Sequence, residues 1–339
     1  MSRDCTSLPR VQCLRNLFQQ SRTAGASAAF FYIEGGIGSV KSVGDKLRLG
    51  PYAGIAVAVV GVSFASIFIR WSDSPPLVIA AYRMAIASLV LLPFAVLSSR
   101  AEIKSIGSRQ TLMLIAVGAI LAAHFFAFIT SIKLTSVASS TILVTCHPFI
   151  VLIISHFWLK ESSGFAVPGI LLGFLGVIVI SYGNGGGDSL TGDLLALLGA
   201  MLAAIYIIMG RYFRRKLGLI SYVFIVYASA TLFLFTACLI WNLPIWPISM
   251  REIALFTALA LVSTIIGHTL FNWSLKYLPA YVISVSLLAE PVGATILAAL
   301  LLSETPSFVV VVGGALVLGG ILVTATFSQR SQDSAGDMI

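Results

Sequence analysis

The sequence predicts an all-α integral membrane protein: ten transmembrane helices as two inverted five-helix repeats. Three observations carry this expectation. Of 339 residues, 58% belong to the class AVILMFWYC and only 10% are charged, against about 25% charged in an ordinary soluble domain. From Pro51 onward, apolar runs of about 20 residues alternate with short polar joints, and that is the length a helix needs to cross the hydrocarbon core. Finally, a shift of 143 residues lays the second half of the chain over the first.

A chain so poor in charge cannot cover a water-soluble surface, and its mean hydropathy is +1.00. The four cysteines (Cys5, Cys13, Cys146, Cys238) have no motif spacing, which argues against an ectodomain held by disulfides. The two inside apolar segments read as small buried thiols. The net charge of +8 invites a nucleic-acid partner, but its distribution does not. Basic residues cluster in the N-terminal tail and in short loops, where they orient a protein in a bilayer. The expected partners are therefore the lipid bilayer and a small-molecule substrate, with no nucleic acid.

Residues 1–49 differ from the rest. They carry seven basic residues with little helical periodicity, and the apolar patch Ala24 to Tyr32 is too short to span. They read as a basic, disordered tail, either cytoplasmic or an upstream extension from a misplaced start codon. The ten predicted spans are 51–69, 77–97, 112–132, 136–157, 166–183, 192–212, 220–241, 252–272, 280–302 and 307–327, which puts a first repeat at 51–183, a second at 192–327 and a short cytoplasmic tail at 328–339. The joints hold the expected breakers: Ser74-Pro75-Pro76, the glycine run 183–187, Pro244 to Pro247, and Thr305-Pro306.

Orientation follows from Lys and Arg. With the N-terminus in the cytoplasm, 17 of the 21 lie on that side and three (Arg70, Lys133, Arg251) on the other. Without the tail the ratio is still 10 to 3. Both termini are expected in the cytoplasm, and the membrane is expected to be the plasma membrane.

At the 143-residue shift Pro148 meets Pro291, Glu161 meets Glu304, Gly176 meets Gly319, Lys133 meets Lys276 and Ser131 meets Ser274. Proline, glutamate and lysine are scarce here, so their coincidence is informative. Five spans per half is an odd number, which inserts the two copies in opposite senses. Such inverted repeats are the architecture by which many carriers alternate access to the two sides.

On these residues the chain resembles the EamA-type members of the drug/metabolite transporter superfamily. Glu290-Pro291-Val292, Leu302-Ser303-Glu304, Gly313-Gly314 and Gly319-Gly320 carry the likeness in the second half. Their first-half partners are Pro148, Glu161, Gly169, Gly173 and Gly176, and Gly192-Asp193 with Leu195-Ala196-Leu197 looks like the family's opening of the second repeat. The resemblance covers roughly 51–327 and implies carriage of amino acids, other metabolites or drugs, most familiarly as export. One departure stands out: His147 occupies the position equivalent to Glu290.

Six residues are candidates for substrate binding. Arg83 lies about six residues, or roughly 9 Å, into span two, where a charge costs about 2.5–3.5 kcal/mol or more. It either anchors an anionic group such as a carboxylate through its fork of donors, or serves structurally as a partner for Glu290 or helix carbonyls, or snorkels to the membrane surface. Glu290 precedes a proline that frees a backbone carbonyl. It either binds a cation or proton, or locks the helix as a cap or ion pair. His124 and His147 read as cavity-lining histidines, with His268 near-equivalent to His124 across the repeat. Asn272 and Tyr82, with Tyr206, Tyr227 and Trp273, are polar-tipped or aromatic residues away from loop boundaries. Trp71, Trp158, Trp241 and Trp246 suit the interfacial belt, and Glu161 and Glu304 the membrane boundary.

Gly169-x-x-x-Gly173 and the glycines of span ten offer close helix contact, as scaffold or as the face of a homodimer. No pair of histidines has metal-ligand spacing, and the 183–187 run lacks the Lys-Ser/Thr of a phosphate loop. No metal or cofactor is expected. An intramembrane enzyme needs a nucleophile with a base, a carboxylate pair or a metal cluster, and the predicted spans offer none. A carrier is thus favoured over an enzyme and over a receptor or assembly subunit, with a nucleotide-sugar or drug carrier of the same fold as the alternative substrate class. Spans one to four and six to nine would enclose the cavity, and spans five and ten would support them.

Overall fold

The computed structural model describes residues 40–134, 137–158, 167–183, 190–246, 248–302 and 308–336, and every element among them is a helix. The chain divides into a unit Met1–Arg48 and a unit Leu49–Ile339, and the second holds the core and the cavity. In chain order the helices are α1 (Val40–Ser63), α2 (Ala65–Trp71), α3 (Pro76–Ser98), α4 (Arg100–Ser105), α5 (Ser108–Leu134), α6 (Val137–Val144), α7 (His147–Phe157) and α8 (Val167–Gly183). There follow α9 (Leu190–Arg214), α10 (Leu219–Ile240), α11 (Met250–Ala258), a π-helical segment Leu259–His268, α12 (Thr269–Ser274), α13 (Ala280–Ser286), α14 (Ala289–Leu302) and α15 (Phe308–Gly336).

Among the described residues, seven stretches are long and apolar enough to cross a membrane: Gly50–Trp71, Pro76–Ser98, Ser108–Leu134, Leu190–Arg214, Leu219–Ile240, Met250–Ser274 and Ala280–Leu301. Val167–Gly176 and Val311–Thr324 are shorter apolar helices. Leu97, Leu112, Ile240 and Leu322 stand exposed, as expected where lipid rather than water meets the surface. Inside, α3, α5, α9 and α10 pack around Met84, Leu121, Phe125, Tyr222 and Tyr227. Pro76 opens α3 where its missing amide has no helical partner to lose.

Two expected spans break beside a proline. The 136–157 stretch is α6 and α7 with a turn at Thr145-Cys146, and the 280–302 stretch is α13 and α14 with a turn at Leu287-Leu288. Pro148 and Pro291 stand just past these turns and cannot donate to Val144 and Leu287, so each helix breaks one turn before its proline. The breaks are equivalent under the 143-residue shift. Within Met250–Ser274, the π-helical turns let Thr264 Oγ1 donate to the Leu259 carbonyl at 3.4 Å and Thr269 Oγ1 to the Thr264 carbonyl at 3.1 Å.

The ends also differ from expectation. Helix begins at Val40, before the assigned start of span one, while residues 1–39 of the assigned tail lie outside the described residues. At the other end α15 runs to Gly336 rather than stopping near 327, because no glycine or proline interrupts the chain between Gly320 and Gly336. Glu161, Glu304, Pro247, Thr305-Pro306 and most of the glycine run lie outside the described residues.

Helices α8 and α15 pack backbone to backbone. A Cβ on Gly320 would lie 2.5 Å from the Gly169 carbonyl oxygen and 2.6 Å from the Gly173 nitrogen. Gly176 is as tight, 2.5 Å from the Gly313 oxygen by the same measure. Only glycine permits that approach. These two glycine faces are therefore used against each other within one chain.

Candidate functional site

One cavity sits among these helices, with about 710 Å³ of atom-free space including its open part. Arg83 of α3 faces it, with His124, Phe125 and Phe128 of α5 and Ala203, Tyr206 and Ile207 of α9. His268, Phe271 and Asn272 reach it from the end of the π-helical segment and α12. Both helix breaks open onto it, contributing Thr145 and His147 on one side and Leu287 and Glu290 on the other. Broken helices expose backbone and polar side chains at membrane depth, which is tolerated where they line a cavity.

Arg83 is 1% exposed. Its Nε donates to Thr264 Oγ1 at 2.7 Å, and its guanidinium lies 4.0 Å from the centre of the Phe125 ring. Its Nη2 is buried with no hydrogen-bond partner. A guanidinium presents five donors, and a desolvated donor left unused costs free energy until something accepts from it. The π-helical turn is what brings Thr264 to this position, so the widened helix and the buried cation form one arrangement. The field of Glu290 also reaches Arg83.

His124 and His147 are each held at one ring nitrogen. His124 Nδ1 donates to the Gly199 carbonyl at 2.9 Å, and its ring stacks on Phe128 at 6.1 Å. A carbonyl can only accept, so that bond defines the tautomer and leaves Nε2 as the acceptor of the neutral ring. His147 Nδ1 lies 2.6 Å from Ser284 Oγ, which ties one broken helix to the other. His268 meets Phe125 edge-on at 5.2 Å. Asn272 Nδ2 donates to Tyr206 Oη at 2.7 Å and to the His268 carbonyl at 2.8 Å, so its amide orientation is set by its partners.

The structure brings Arg83, His124, His147, Asn272 and Glu290 around this cavity. Tyr82 is not among them. Its ring stacks on Phe256 at 5.2 Å, and its hydroxyl donates to the Ile245 carbonyl at 2.7 Å. One residue before Arg83 on a helix, it points about 100° away from it. Tyr82→Phe is expected to cost about 1 kcal/mol of stability and to leave the affinity for a ligand in the cavity unchanged. A shift in Kd beyond about threefold would instead put the hydroxyl on that ligand. Tyr206 lines the cavity, Tyr227 lies behind it against Thr269, and Trp273 packs over Gly54. Sequence reasoning missed Thr264 and Phe125. The pair Ser263-Thr264 in an apolar run was a usable signal, whereas nothing marks Phe125 among 21 phenylalanines.

The model of the EamA-like transporter family matches residues 50–182 and again 190–326. An uncharacterised transporter from Archaeoglobus fulgidus is 28% identical over 79% of this chain and 95% of its own length. The transporter YdfC of Bacillus subtilis, also uncharacterised, is 26% identical over 73% of this chain and 80% of its own. The aromatic amino acid exporter YddG of Ancylobacter novellus is 25% identical over 63% of this chain and 75% of its own. A solved crystal structure shares the fold with a TM-score of 0.68 at 19% identity, over 84% of this chain and 99% of that one. With two matches to one family covering most of its length, this chain is a multi-pass membrane transporter, not an enzyme, and belongs to the EamA-like transporter family.

Proposed function

We propose that the chain is a ten-span secondary carrier of the plasma membrane, with both termini in the cytoplasm and the two repeats inverted, and that it exports small metabolites such as amino acids by alternating access. In this reading α6 and α7 together make the fourth crossing, and α8 and α15 the fifth and tenth. The observation that carries the substrate class is the buried, unpartnered Nη2 of Arg83 in the cavity. A carboxylate accepts two donors from a guanidinium in one plane and would relieve that atom. The surrounding rings of Phe125, Phe128, Phe271 and Tyr206 suit an apolar or aromatic remainder, in keeping with the exporter among the relatives. A nucleotide sugar fits less well, because its diphosphate brings two charges to a lining whose described residues hold one guanidinium.

The test is a melting-temperature screen on purified protein in detergent, with amino acids, nucleosides, nucleotide sugars and cationic drugs. A ligand at 100 times its Kd stabilises the folded state by about 2.7 kcal/mol. An amino acid should raise the melting temperature of the wild type and not that of Arg83→Ala, and loading whole cells should then give efflux of the same compound. A cationic hit retained in Arg83→Ala would overturn the carboxylate reading and move attention to Glu290.

A further inference from the structure

Two buried or half-buried glutamates outside the cavity make the same kind of contact at opposite ends of α3. Glu252, 7% exposed at the start of α11, accepts from the Ser72 hydroxyl, from the Asp73 amide at 3.0 Å and from the Ser74 hydroxyl at 2.8 Å. These donors form the loop that leads into the N-terminus of α3. Beside them, Lys133 Nζ donates to the Ser72 carbonyl at 2.5 Å, and Arg251 pairs with Asp73 at 2.6 Å. Glu102, on α4 just past the C-terminus of α3, accepts from the Gly218 amide at 2.7 Å and from the Ser221 hydroxyl. Gly218 is the N-cap of α10.

These contacts are counterparts. Under the 143-residue shift Pro76, which opens α3, falls on Leu219, which opens α10. In each case the glutamate lies between the end of the second span and the first turn of the third in one repeat's span order, and clasps the start of the second span of the other repeat. Glu102 lies in the first matched repeat and holds the second. Glu252 lies in the second and holds the first. The 23 residues of α3 set the two clasps about 34 Å apart, with the cavity's Arg83 on the helix between them.

We propose, building on the carrier reading, that Glu252 and Glu102 are the gates of the two ends: each holds its end shut by fastening one repeat to the other, and they release in alternation. Rocking one repeat against the other must break the contacts at one end and can keep those at the opposite end. Each clasp is a carboxylate over donors at a helix start, where charge-assisted bonds and the helix dipole both favour it. The Arg251–Asp73 pair is the lesser part of the first clasp, because its side chains are 59% and 86% exposed and solvent screens it. Lys133, Arg251 and Glu252 concentrate at one end. Arg211 and Arg214 brace the other by donating to the Leu275 and Asn272 carbonyls at 2.6 and 3.0 Å.

The gates are tested with one reporter cysteine in the cavity, Ala203→Cys, in full-length protein with the four native cysteines replaced by serine. A charged, membrane-impermeant thiosulfonate is applied to one face at a time, in vesicles of each orientation. Glu252→Ala should speed labelling about tenfold from the face that carries Ser72 to Ser74 and slow it from the other face, because the two open states exclude each other. Glu102→Ala should do the reverse. If either alanine variant fails to fold, Ser72→Ala with Ser74→Ala, and Ser221→Ala, weaken the same clasps from their donor side. Unchanged rates, or rates that rise equally at both faces, would overturn the gates while a reporter reached from alternate faces kept the carrier standing. A wild-type reporter reached from both faces at once would remove the carrier reading and the gates with it.

Discussion

Arg83→Ala is expected to abolish binding of the carboxylate-bearing ligand and to lower the melting temperature more than the double variant Arg83→Ala with Glu290→Gln. The reasoning starts from burial. Arg83 is enclosed, hydrogen-bonded to Thr264 and seated over Phe125, with Glu290 in the same cavity. Removing the guanidinium leaves the half-buried Glu290 without the opposite charge that faces it across the cavity, at a cost below the about 3–5 kcal/mol of breaking a contacting buried pair. Neutralising Glu290 as well takes that stranded charge away, so the double variant should regain much of the loss. It should not regain ligand binding, because the donors are gone. Arg83→Lys separates charge from geometry: it should keep most of the stability and lose affinity by about tenfold or more, since an ammonium cannot form the planar fork. Melting curves with and without ligand measure all four proteins. A double variant less stable than Arg83→Ala would show that the two charges do not balance each other.

Gly320→Ala and Gly319→Ala, one methyl group on adjacent residues, are expected to have opposite consequences. At Gly320 the new atom would press 2.5–2.8 Å from backbone atoms of Gly169 and Gly173, which cannot turn aside as a side chain can. The two helices must part. Overpacking of this kind costs about 1–3 kcal/mol, and more here because separation also uncovers the neighbouring Gly176 contact. At Gly319 the nearest atom is Leu172 Cδ2 at 3.5 Å, an ordinary contact, and alanine's better helix propensity should make the change neutral or stabilising by up to about 1 kcal/mol. Gel filtration and melting temperature would distinguish them. Equal behaviour of the two variants would mean that α8 and α15 do not meet along this seam.

Much of this molecule was legible in one dimension. Scarcity of charge and apolar runs of bilayer length determine a membrane protein, because hydrocarbon accepts only helices whose backbone is satisfied from within. Scarce residues recurring at one shift reveal the duplication, and the cost of charge in lipid is enough to turn Arg83 inward, whatever its neighbours. Small residues four apart mark α8 as a helix that another approaches closely. These are local or periodic properties, so the sequence alone determines them. Other features depend on which surfaces meet. Tyr82 and Arg83 are neighbours, yet a 100° step puts one against Phe256 and the other into the cavity. Pro148 and Pro291 were visible as breakers, but that both breaks open onto the same space required the packing of α6–α7 against α13–α14. Glu252 and Ser72 are 180 residues apart, and Glu102 and Ser221 are 119 apart. Nothing in their spacing announces a contact, because hydrogen bonds between repeats follow from how the helices dock. Class, duplication and the inward charge belong to the sequence; the cavity's membership and the clasps at its two ends belong to the tertiary structure, where distance in space replaces distance along the chain.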